Sequence, residues 1–67
     1  LMGKLIYHVD DISDIRFAVN TILEKNGYEV EGFETSEEML KKLDQQVPDL
    51  IILDVPPGPA SKVGSPP

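Results

Sequence analysis

Apolar and polar positions along this chain switch period repeatedly, and the switches mark out five elements. Residues 4–9, Lys-Leu-Ile-Tyr-His-Val, form a short apolar run that stops at Asp10-Asp11. Its length and its β-branched and aromatic content predict a strand covered on both faces. Over residues 14–26 the period becomes helical. Ile15, Ala18, Val19, Ile22 and Leu23 fall on one stripe, with Arg16, Asn20, Glu24 and Lys25 on the other faces. Ser13 or Asp14 is placed to cap the start, and Gly27 to close the end. Tyr28, Val30 and Phe33 then alternate partly with polar residues, which predicts a short edge strand with one face toward water. Thr35 and Glu38 have the spacing of a capping box, and Met39, Leu40 and Leu43 carry a second helix to about residue 45. Pro48 blocks its extension, and Leu50-Ile-Ile-Leu-Asp-Val55 is the most apolar stretch of all, the pattern of a central parallel strand.

The predicted order is β-α-β-α-β with short connections. Such alternation implies an α/β fold, a parallel sheet with right-handed crossovers. Beyond Val55 the pattern stops. Residues 56–67 hold five of the six prolines and a single charged side chain, so they read as an extended or disordered tail behind a folded segment 1–55.

Composition narrows the functional classes. A chain of 67 residues has room for one small domain, and a core that small is marginal without help. The absence of Cys excludes disulfides and thiolate metal sites, and a single His cannot hold zinc alone. Twelve acidic against six basic side chains give a net charge of −6, with no basic footprint for phosphate backbones, so nucleic-acid binding by this segment is not expected. No apolar run approaches the roughly 20 residues of a membrane span, and no signal-peptide pattern is present. A soluble, cytoplasmic protein is the expectation.

The candidate chemistry lies in three carboxylates. In an open parallel sheet, ligands sit outside the carboxyl ends of the strands. Asp10 and Asp11 end the first strand and Asp54 ends the third, so they converge if those strands are neighbours. Any one of them alone reads as a cap or a strand terminator. Together they form a repulsive cluster that a hard divalent cation relieves, with oxygen ligands suited to Mg²⁺, Mn²⁺ or Ca²⁺. Such a cluster suits phosphoryl transfer onto a carboxylate. The lone His8 is expected to pack within its strand, and the acidic stretch Glu29 to Glu38 to be a solvated surface.

These residues resemble a known family. Val9-Asp10-Asp11 with Asp14-Ile15-Arg16, then Asn26-Gly27-Tyr28-Glu29-Val30, then Pro48-Asp49-Leu50-Ile51-Ile52-Leu53-Asp54 is similar to the receiver domain of two-component response regulators, of the CheY-like type. The resemblance covers residues 4–55, the first half of such a domain. It implies a truncated flavodoxin-like fold of sheet order 2-1-3 with a helix on each face. It further implies that Asp54 is the phospho-acceptor, that Asp11 binds Mg²⁺ directly, that Asp10 assists through water, and that the Pro56 backbone carbonyl completes the set. The implied partner is a histidine kinase or phosphotransfer protein.

Two departures carry expectations of their own. His8 stands where the family usually has an aliphatic residue. The run Pro56-Pro-Gly-Pro-Ala60 differs from the family pattern after the acceptor, and the family's switch hydroxyl and its Lys have no counterpart here. The chain as it stands is therefore expected to bind Mg²⁺ weakly or not at all, and to form little stable phosphoryl adduct. The alternative is a receiver-like structural module that dimerises through the open edge of its third strand or through bare helix faces. An enzyme using Asp54 as nucleophile would want a further acid/base carboxylate just beyond it, and none is present.

Overall fold

The computed structural model describes residues 3–54. Its elements are β1 (Leu5–Asp10), α1 (Ser13–Lys25), β2 (Glu29–Phe33), α2 (Ser36–Leu43) and β3 (Leu50–Asp54). The three strands make one parallel sheet of order β2-β1-β3. β1 is therefore the centre, and five of its six residues are buried. This is the β-α-β-α-β flavodoxin-like architecture, with a helix on each face.

Strand alternation decides what each face contains. Leu5, Tyr7 and Val9 point to one side, where Tyr7 and Val9 pack with Met39 of α2, flanked by Phe33 and Leu43. The Tyr7 and Phe33 rings meet edge to face at 5.1 Å between centroids, a favourable geometry for their quadrupoles. The Tyr7 hydroxyl donates to the Gln46 carbonyl at 2.5 Å, so the buried phenol keeps a partner. Ile6, His8 and Asp10 point to the opposite side, under α1.

Local chemistry fixes the joints. Asp49 accepts from the Leu5 amide through Oδ2 at 2.8 Å, while its own amide donates to the Leu5 carbonyl at 2.7 Å. That two-way clasp pins β3 beside β1 and sets the register Ile6 to Leu50 through Asp10 to Asp54. α1 ends as its glycine predicts. Gly27 has φ +92°, its amide donates to Glu24 and that of Tyr28 to Leu23, which satisfies the last carbonyls. Thr35 caps α2 by accepting from the Glu38 amide at 3.2 Å. Glu38 reaches back to the Glu34 amide, one residue further than a reciprocal capping box would place it.

Two expectations are corrected. The α1 cap is neither Ser13 nor Asp14, because the N-cap position is Ile12, with no side-chain cap. The Ile12 amide is instead bonded by Asp10 Oδ1 at 3.0 Å, which turns the chain directly after β1. The apolar stripe of α1 turns inward only in part. Val19 and Leu23 are half-buried, but Ile15 and Ile22 are 43% and 60% exposed, and Arg16 and Asn20 reach over the sheet beside them. As the order 2-1-3 implies, β3 lies at the edge of the described sheet, and Leu50 and Leu53 stand exposed. The tail 56–67 and the Pro56 carbonyl lie outside the described residues. Among the described residues, no helix is long and apolar enough to cross a membrane.

Candidate functional site

The site forms where β1 and β3 end side by side. Their register pairs Asp10 directly with Asp54, so two acids far apart in the chain become cross-strand neighbours. A third group joins them. His8 lies two residues before Asp10 in the strand and therefore on the same face. Among the described residues, His8, Asp10 and Asp54 each offer a donor atom within 4.8 Å of the others. Asp11 is exposed at the bend that follows β1, outside this group of three.

Burial divides the cluster. His8 and Asp10 are 1% and 2% exposed, whereas Asp54 is open at the rim. One carboxylate oxygen of Asp10 is used, since Oδ1 accepts the Ile12 amide. The other is not. Oδ2 is buried and has no hydrogen-bond partner, and an unsatisfied buried carboxylate oxygen carries a large desolvation cost. His8 Nε2 lies 3.7 Å from it, beyond hydrogen-bond length. A charge-bearing pocket with an orphaned oxygen is a receptive place for a cation.

α1 supplies the ceiling. Arg16 donates through Nη1 to the Asp10 carbonyl at 2.6 Å, and Asn20 Oδ1 lies 3.0 Å from His8 Nδ1. The helix comes this close because Gly32 of β2 has no side chain. A Cβ there would lie 2.6 Å from Asn20 Nδ2 and 3.1 Å from the Arg16 stem. Helical periodicity places Arg16 and Asn20 off the apolar stripe, on the other faces of the helix. The signal that could have recovered them is their four-residue spacing, opposite a strand that itself carries polar residues two apart.

On the opposite face, burial and the nearby Glu31 carboxylate push the Tyr7 phenol above its ordinary range. This group belongs to the core rather than to the rim.

Comparison with known proteins identifies the family. The response regulator receiver domain model matches residues 6–56. Over 54 residues the chain is 44% identical to the alkaline phosphatase synthesis transcriptional regulatory protein PhoP of Bacillus subtilis, covering 81% of this chain and 22% of that protein. Over 55 residues it is 36% identical to the chemotaxis protein CheY of Thermotoga maritima, covering 81% of this chain and 46% of that one. The chain thus spans less than half the length of either relative. No solved structure matches it significantly.

Proposed function

Because the chain belongs to the response regulator receiver domain family, we propose that it is the acceptor part of a two-component receiver, in which Asp54 takes a phosphoryl group from a histidine kinase or phosphotransfer protein. Family membership makes it a signalling module rather than an enzyme. The observation that carries the assignment is the pairing of Asp54 with Asp10 at the carboxyl rim of adjacent parallel strands. Asp54 is exposed there and Asp10 is buried, so only the former is open to a bulky donor.

The transfer follows from these positions. A carboxylate oxygen of Asp54 attacks the phosphorus of a phosphohistidine. A P–O bond forms, the P–N bond breaks, and the leaving imidazole nitrogen keeps the electron pair and takes up a proton. Asp10, fixed by the Ile12 amide, holds its carboxyl group beside the acceptor. Arg16 holds the end of β1 through its bond to the Asp10 carbonyl. The orphaned Asp10 oxygen supports a divalent cation at this rim. Asp11, Asp54 and the Pro56 carbonyl would hold Mg²⁺, with Asp10 assisting through water. When bound, the ion neutralises charge gathering on the phosphoryl oxygens.

Acetyl phosphate with Mg²⁺ tests the assignment, read by intact mass after a rapid acid quench. The expected product is a substoichiometric single phosphoryl adduct located on Asp54 and absent from Asp54→Asn. A phosphoryl group on another residue, or an equal yield from the variant, would overturn it.

The outer side of β3 favours a second reading, as a dimerisation module. Leu50, Ile51 and Leu53 are 53%, 38% and 60% exposed along a strand paired on one side among the described residues. An apolar open edge is a template for another strand. Sedimentation at tens of micromolar should then show a dimer, and a monomer across that range would remove this reading.

A further inference from the structure

We propose that His8 is a metal ligand, and that with Asp10 and Asp54 it forms a mixed nitrogen–oxygen site preferring a first-row transition ion to Mg²⁺. The inference shares Asp54 with the phosphoryl-acceptor reading but not its chemistry, and it concerns metal binding alone.

The imidazole is held as a metal-binding imidazole is held. Its Nδ1 faces the Asn20 carbonyl oxygen at 3.0 Å. That acceptor requires the proton on Nδ1, which leaves the lone pair of a neutral ring on Nε2. Ligating histidines are oriented in this way, with the far ring nitrogen donating to a carbonyl or carboxylate. Nε2 then points toward Asp10 Oδ2, 3.7 Å away. That is longer than a direct charge-assisted hydrogen bond, at about 2.7–2.9 Å. The gap is instead close to the spacing of two donors around one ion, since metal–ligand distances of about 2.0–2.2 Å place neighbouring ligands ~3–3.5 Å apart.

The pocket also lacks something it needs. Asp10 is almost wholly buried, and its Oδ2 is the buried side-chain atom without a partner among the described residues. An ion between Oδ2 and Nε2 satisfies both. Asp54, exposed at the rim, supplies the third donor and the way in. Three protein ligands leave further positions for water or a phosphoryl oxygen. Arg16 lies nearby but donates to the Asp10 backbone carbonyl, so it leaves the carboxylate free.

The donor set determines the ion. Carboxylates alone suit Mg²⁺, whereas an imidazole nitrogen favours ions such as Co²⁺, Ni²⁺ and Zn²⁺. An aliphatic residue at position 8 would leave an oxygen-only site. The single departure at His8 therefore changes which metal the rim selects.

Co²⁺ is the probe, because its visible absorption reports coordination and its unpaired electrons shift the proton signals of its ligands. The chain has one His, so any shifted imidazole signal belongs to His8. After stripping with EDTA, the chain is titrated with Co²⁺ or Mg²⁺ by calorimetry, and NMR spectra are recorded. The expected results are Co²⁺ affinity at least about tenfold above that for Mg²⁺, strongly shifted His8 ring protons, and displacement by Zn²⁺. His8→Val should remove the Co²⁺ preference and leave Mg²⁺ affinity within about twofold. Should that variant fail to fold, the wild-type ring signals still decide. Unshifted ring protons with Co²⁺ bound, or equal affinity for the two ions, overturn the inference; the acceptor assignment is judged separately by the acetyl phosphate adduct. Absence of any bound ion overturns it as well.

Discussion

Replacing Asp54 with Asn should stabilise the metal-free fold, against the usual direction of substitutions at a functional position. The reason is electrostatic. Asp10 and Asp54 are register partners whose donor atoms lie within 4.8 Å. Two unit charges at that distance repel by about 3 kcal/mol at an effective dielectric of 20, and by about 1 kcal/mol in bulk water. Asp54 is exposed, and the Arg16 guanidinium stands close to Asp10, so the lower figure applies. Asp54→Asn keeps the shape and removes the charge, giving a gain of about 1 kcal/mol. In a domain this small, such a gain raises Tm by ~4–8 °C. Urea unfolding followed by far-ultraviolet circular dichroism, in EDTA and low salt, measures it. The gap should shrink at about 1 M salt, where the Debye length falls to ~3 Å. Added Mg²⁺ should reverse the ranking, since only the wild type keeps the full acid set to bind it. A variant equal to or less stable than the wild type in EDTA would refute the reasoning, because the two carboxylates could not then be near neighbours.

Other expectations concern the supports of the site. Gly27→Ala should cost about 1–2 kcal/mol by urea unfolding, because the backbone sits at φ +92° while nothing crowds the added methyl. Met39→Ala removes the buried contact of α2 with Tyr7 and Val9 and should cost ~2–5 kcal/mol, read as a lower urea midpoint. The Tyr7 phenol titrates above its ordinary 10.0 in the folded state, so its stabilising contribution is complete below about pH 10 and is lost as pH rises from there through the folded value. Urea midpoints between about pH 9 and 11 should fall with pH, and Tyr7→Phe should flatten that fall.

Much of this fold was legible because its elements obey simple periods. The runs at residues 4–9 and 50–54 and the glycine at 27 declare themselves without tertiary knowledge. The inner face of α1 did not. Val19 and Leu23 of the apolar stripe turn inward while Ile15, Ala18 and Ile22 stay exposed, and the helix brings Arg16 and Asn20 inward with them, because the strand beneath presents His8 and the Asp10 carbonyl. Helical periodicity weighs each element alone and cannot see that a polar strand face asks for polar partners. The composition of β3 is that of a strand central in a longer sheet, but the order 2-1-3 puts it at the edge here, and among the described residues β1 alone pairs with it. For the site, Asp10 and Asp54 followed from strand ends and neighbouring order. The addition of His8 required knowing that its ring faces the rim with one nitrogen held by Asn20.

The central claim is that two acids forty-four positions apart in the chain share one corner of the sheet. Paramagnetic Mn²⁺, added in trace amounts to ¹⁵N-labelled protein, tests it directly by broadening the amide signals nearest the ion. Val9 to Asp11 and Leu53 to Asp54 should fade together at the lowest additions, ahead of the exposed acids Glu29, Glu37 and Glu38. Fading at one strand end without the other, or first among those surface glutamates, would contradict the account.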